Sequence, residues 1–100
     1  DILGYREVAT LRNQRNPYVV AYTLRRANGI CELCEKAAPF NNYNGEPYLE
    51  VHHVNHLIDG GEDMTENAVA LCPNCHRMMH HLNRKSDIDI LILTNKKKKI

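Results

Sequence analysis

The chain lacks a long apolar run, an excess of one charge and an internal repeat. No apolar stretch approaches the roughly 20 residues that span a bilayer, so no membrane-crossing helix is expected. Thirteen basic and twelve acidic residues leave a net charge of +1. That balance neither demands a polyanionic partner nor excludes one. No secretory leader is visible in the sequence. Position 1 is Asp rather than Met, which points to a piece of something longer. One hundred residues make one domain at most, with a modest core. A metal staple is physically useful at that size.

What the chain does have is four cysteines in two matched pairs, Cys31-Glu32-Leu33-Cys34 and Cys72-Pro73-Asn74-Cys75. Two disulfides are one reading, but paired Cys-x-x-Cys spacing favours zinc in a reducing compartment, and so a cytoplasmic setting. Zinc takes four tetrahedral ligands, with thiolate sulfur at about 2.3 Å. Cys31, Cys34, Cys72 and Cys75 would therefore fill one structural zinc site with no open position. The metal would clip a long loop shut, so its binding would be part of the folding free energy.

Before the first pair, Asn16-Pro17 reads as a helix start, Asn as cap and Pro in the first turn. Val20, Leu24 and Ala27 form an apolar stripe at helical spacing, and Asn28-Gly29 stops that helix. The polar residues before it form a lead-in, partly helical. Residues 35 to 48 are loop chemistry with a turn at Asn44-Gly45. Tyr48 to Val54 reads as a short strand and Asp59-Gly60-Gly61 as a loop. Asn67 to Leu71 reads as a second strand with Val69 and Leu71 on one face. A helix begins near Pro73. In the tail, Ile88, Ile90 and Ile92 alternate as in a strand, while Ile88, Leu91 and Ile92 suit a helical face. Periodicity cannot choose between them at this length. The run from Lys96 to Lys99 reads as a solvated terminus. The expected divisions are 1–28, lead-in and helix; 29–84, the core with its cysteine knuckles; and 85–100, a C-terminal segment with a basic tail.

If the thiols fill the zinc shell, the histidines are left over. Neighbours on a helix point about 100° apart, so Cys75 and His76 cannot easily serve one ion. His76 and His80 stand four apart and share a face, the spacing of two imidazoles on one metal. His52 and His53 lie on a strand, where neighbours face opposite sides. One can join His76 and His80, while the other faces substrate. Three ligands leave room for water and a phosphate oxygen. His56 and His81 read as ordinary exposed or hydrogen-bonded side chains. Glu50 could orient an imidazole, but reads better as a solvent-facing strand residue.

The text Ala27-Asn28-Gly29-Ile30-Cys31-Glu32-Leu33-Cys34, Gly45-Glu46-Pro47-Tyr48-Leu49-Glu50-Val51-His52-His53, Asp59-Gly60-Gly61 and Asn67 to His80 resembles the HNH, or ββα-metal, nuclease family. It looks most like the HNH domain of McrA-like modification-dependent restriction endonucleases. The resemblance implies an α+β fold: a small ββα-metal nuclease domain with a four-cysteine zinc site and flanking helices. It implies a metal-dependent endonuclease acting on DNA. By the same resemblance His52, His76 and His80 would hold a catalytic divalent cation: magnesium, manganese, nickel or zinc. His53 would be the general base, and Asn67 would tie down the loop carrying it. The products would be 5′-phosphate and 3′-hydroxyl ends. His56 stands where many relatives carry proline.

Phosphate contacts would come from Arg77 and from Arg25, Arg26 or the lysine tail. Nothing in the sequence looks like a base-reading element, so specificity is expected in a separate domain of a larger chain. Cutting both strands with one site per chain would favour a homodimer. The rival reading is a zinc-knuckle module that binds nucleic acid without cutting it. A structural two-zinc domain is a third.

Overall fold

The computed structural model describes residues 16–56 and 60–99. The proposed lead-in before Asn16, together with Asp59, lies outside them. The described elements run in the order α1 (Pro17–Ala27), β1 (Glu50–His53), β2 (Ala68–Leu71), α2 (Pro73–His81) and α3 (Lys85–Lys97). A short 3₁₀ turn, Thr65–Asn67, leads into β2. No described helix is long and apolar enough to cross a membrane.

Helix α1 begins as its sequence dictates. The Asn16 side chain accepts the Tyr18 amide at 2.9 Å, and Pro17 takes the first turn. It ends at Asn28 in the left-handed region, φ 52°, with its amide returned to Leu24 O. Its buried face is Val19, Thr23 and Ala27, so Ala27 holds from the expected stripe while the other two positions move by one residue. Val20 and Leu24 pack at the margin of that face. The difference arises because Thr23 buries its hydroxyl by bonding Val19 O at 2.7 Å, which an apolar stripe does not reveal.

β1 and β2 form an antiparallel pair, with Glu50 opposite Leu71 and His53 opposite Ala68. Both strands are shorter than the sequence implies. Asn67 closes the 3₁₀ turn and is not a strand residue. All four residues of β2 are buried, so Val69 and Leu71 do not mark a single covered face. The strand lies between helices and has no solvent side.

The main core joins Ala27, Leu49, Val69, Leu71, Met79 and Leu91 with Cys31 and Cys75. The thiol frame is therefore built into the core. The C-terminal segment is helical, with Leu91 fully buried. Its buried Asn95 amide donates to Thr65 O and Ala68 O, both at 2.9 Å. The isoleucine alternation was the misleading signal. Ile90 and Ile92 are in fact exposed, and Leu91 is the anchor. Lys96 and Lys97 lie exposed in the last turn, where cations complement the helix dipole.

Candidate active site

The four cysteines are free thiols whose sulfurs lie within 4.8 Å of one another. The second knuckle opens α2, where Cys72 Sγ accepts the Cys75 amide at 3.4 Å. Burial, reinforced by hydrogen bonding with Cys72, pushes the Cys75 thiol up. Four crowded sulfurs cannot ionise together without a cation, so this donor set fits a thiolate-bound metal.

The first knuckle is fastened by a residue inside it. Glu32 is buried and receives Arg26 Nη2 at 2.6 Å and Nε at 3.0 Å. It also accepts the Ala70 amide at 2.9 Å and returns its own amide to Ala70 O at 2.9 Å. Arg26 in turn reaches Ala68 O at 2.8 Å. With 2% side-chain exposure it is not available to a phosphate, which removes it from the expected contacts. Arg25 and Arg77 remain exposed.

The two faces of β1 separate the adjacent histidines. Glu50 and His52 point toward α2. Val51 packs against Val19 of α1, and His53 lies on that second face. On the α2 side, His52, His76 and His80 each bring one ring nitrogen within 4.8 Å of the others. The ring centroid of His52 lies 5.2 Å from those of both His76 and His80. The Nε2 atoms of His76 and His80 are 3.1 Å apart. His52 is buried, and its Nε2 has no hydrogen-bond partner among the described residues. Burial, with the neighbouring imidazoles adding, depresses its pKa to about 3. A buried, neutral, unsatisfied nitrogen aimed at two others is the condition a cation would relieve.

Glu50 is not the solvent-facing residue its strand position suggests. His76 Nδ1 donates to Glu50 Oε1 at 2.7 Å, and the Tyr48 hydroxyl donates to Oε2 at 2.7 Å. Tyr48, then His76, hold that carboxyl below its usual range. This fixes the His76 tautomer and leaves Nε2 for a metal. His56 stands beside this cluster. Its ring lies 5.3 Å from those of both His52 and His80. His81 is exposed as expected. Outside the triad, an open cleft of about 690 Å³ is bounded by Tyr48, Glu50, Pro73, His76, Arg77 and His80.

On the other face, His53 Nε2 lies 2.7 Å from Asp63 Oδ1. Asn67 closes the loop between them. Its amide donates to Asn55 O at 2.8 Å and Glu62 O at 2.9 Å, and its carbonyl oxygen accepts the Asn55 amide at 2.8 Å. Its backbone carbonyl takes the Val54 amide at 2.9 Å. Gly61 allows the close crossing, since a Cβ there would fall 1.8 Å from Asn55 O. Sequence reasoning missed Asp63. Its only signal is its place just beyond the Gly-Gly turn.

Known proteins resemble this chain in sequence and fold. The HNH endonuclease family model matches residues 31–82. The type IV methyl-directed restriction enzyme EcoKMcrA of Escherichia coli (strain K12) is 49% identical over 81 residues. The match covers 81% of this chain and 29% of that protein. The solved structure of the type IV phosphorothioation-dependent restriction endonuclease ScoMcrA superposes with a TM-score of 0.74 at 32% identity, over 89% of this chain and 20% of that one. The chain thus spans under a third of either relative. With its two-stranded sheet, its helices and its four metal-ready cysteines, the chain belongs to the HNH endonuclease family.

Proposed function

We propose that this chain is the cutting module of a larger restriction-type protein and hydrolyses DNA phosphodiester bonds with the help of a divalent cation. One observation carries the reading. His52 and His53, adjacent in sequence, are parted by the strand into a three-imidazole cluster on one face and a carboxylate-held imidazole on the other. A domain that only binds nucleic acid has no need of that division.

In this reading Cys31, Cys34, Cys72 and Cys75 hold a structural zinc, and His52, His76 and His80 hold the catalytic ion. Three nitrogen donors without a carboxylate suit nickel or zinc best, and water and phosphate oxygens completing the shell also admit manganese or magnesium. When bound, such an ion supplies positive charge to the scissile phosphate and the departing oxygen. His53 accepts a proton from a water molecule. The hydroxide oxygen forms a bond to phosphorus as the bond from phosphorus to O3′ breaks. The electron pair leaves on O3′, which takes up a proton. The ends are then 5′-phosphate and 3′-hydroxyl. Arg77, at the rim of the cleft, offers a phosphate contact. Asn67 holds the loop that fixes His53.

The whole protein's target is proposed to be modified DNA, read by a domain outside this chain, in the cytoplasm. Two copies are needed to cut both strands. The test is plasmid nicking by the zinc-loaded chain, with manganese, nickel, zinc or magnesium added singly. Nicking that requires the added ion supports the proposal. DNA binding with no nicking under any ion would favour the binding module. Tight zinc in the histidine cluster with no cleavage would favour the structural domain.

A further inference from the structure

We infer that Asp63 is a positioning residue, forming with His53 a carboxylate–imidazole pair that fixes the tautomer and aim of the base; this rests on the nuclease reading above. The His53 side chain is 3% exposed, and its Nε2 is 2.7 Å from Asp63 Oδ1. The other oxygen, Oδ2, accepts the backbone amide of Asn16, the cap of α1. With both oxygens engaged as acceptors, Asp63 acts as a carboxylate, and Nε2 must be the donor. In the neutral ring the proton therefore sits on Nε2, and Nδ1 keeps the lone pair that a base requires.

The pair is braced from both sides. Asn67 binds Val54 and Asn55, the residues immediately after His53. Its side-chain amide also binds the carbonyl of Glu62, the residue immediately before Asp63. One asparagine thus registers both partners, and the cap of α1 registers the carboxylate from outside the loop. Asn67 thereby aligns a two-residue unit as well as restraining a loop. In the proposed reaction Asp63 does not touch the substrate. Its influence passes through the His53 ring.

The experiment is a long-range ¹H–¹⁵N correlation spectrum of the zinc-loaded, ¹⁵N-labelled chain at pH 7.5, with His53 assigned by its loss in His53→Gln. The expected result is a protonated Nε2 and a bare Nδ1. The opposite tautomer, or an even mixture, overturns the inference without any Asp63 variant. In Asp63→Asn the spectrum should shift toward a mixture. The manganese affinity of the cluster should hold within about twofold, and kcat for plasmid nicking should fall about a hundredfold with KM little changed, within the range of a positioned acid–base group. An unchanged tautomer or unchanged kcat in a folded Asp63→Asn protein also overturns it. The tautomer is read without DNA. A wild-type chain that nicks nothing would remove the nuclease reading and leave the pairing to be decided by the spectrum.

Discussion

Removing the Glu32 side chain should nearly unfold the domain, although Glu32 is neither a zinc ligand nor an active-site residue. Its two oxygens accept three hydrogen bonds, from Arg26 Nε, Arg26 Nη2 and the Ala70 amide. Glu32→Ala leaves the Arg26 guanidinium, 2% exposed in the native fold, with only Ala68 O at 2.8 Å as partner among the described residues. An uncompensated buried charge costs about 3–5 kcal/mol. The orphaned Ala70 amide adds about 1 kcal/mol or more. Against a total stability of about 5–15 kcal/mol, that is a large fraction. The two costs come to about 4–6 kcal/mol, and at about 4–8 °C per kcal/mol for a domain of this size the melting temperature should fall by roughly 15–50 °C. The assay is thermal unfolding of the zinc-loaded protein by circular dichroism, with zinc content measured alongside. Arg26→Met combined with Glu32→Leu should recover much of the loss, because a matched apolar pair strands no charge. Melting of Glu32→Ala within about 5 °C of wild type, which is about 1 kcal/mol, would refute the reasoning.

Three further outcomes follow from the same geometry. Glu50→Gln should weaken manganese or nickel binding at the histidine cluster by about 10–100-fold in calorimetry, by loosening His76 while leaving the thiol zinc in place. Leu91→Ala should cost about 2–5 kcal/mol in urea unfolding, because Leu91 is fully buried in the main core. With the cluster free of ion, His52 stays neutral when folded, since burial lowers its pKa from 6.5 to about 3. The unfolded chain binds the extra proton below its ordinary value, so this contribution is present above that value and is lost as pH falls toward the folded one. Between pH 7.5 and 5.5 the unfolding free energy of wild type from urea titration should therefore drop further than that of His52→Asn, by about 1 kcal/mol. Equal slopes would contradict the burial of a neutral imidazole.

The two donor clusters were legible because they are written in local spacing. Two Cys-x-x-Cys turns and the four-residue step from His76 to His80 need only a turn and a helix to converge. Strand alternation likewise separated His52 from His53 before any tertiary contact was known. The supporting residues were not legible. Asp63, Glu50 and Arg26 are common surface types, and each acquires its partner across a distance that sequence spacing does not encode. Glu32 shows this most clearly, since a residue between two cysteines is usually a spacer, yet here it anchors β2. In the tail, isoleucine alternation competed with helical spacing. The deciding contacts, Leu91 in the core and Asn95 on the 3₁₀ turn, are long-range.

The central claim is that adjacent histidines do different work: His52 holds the ion and His53 moves the proton. It is tested most directly by measuring manganese affinity and plasmid nicking together on His52→Ala and His53→Ala, each with its thiol zinc intact. His52→Ala should lose both ion and cleavage. His53→Ala should bind the ion within about twofold of wild type and nick at least about a hundredfold more slowly. A His53→Ala protein that cuts like wild type, or one that loses the ion as His52→Ala does, would contradict the account.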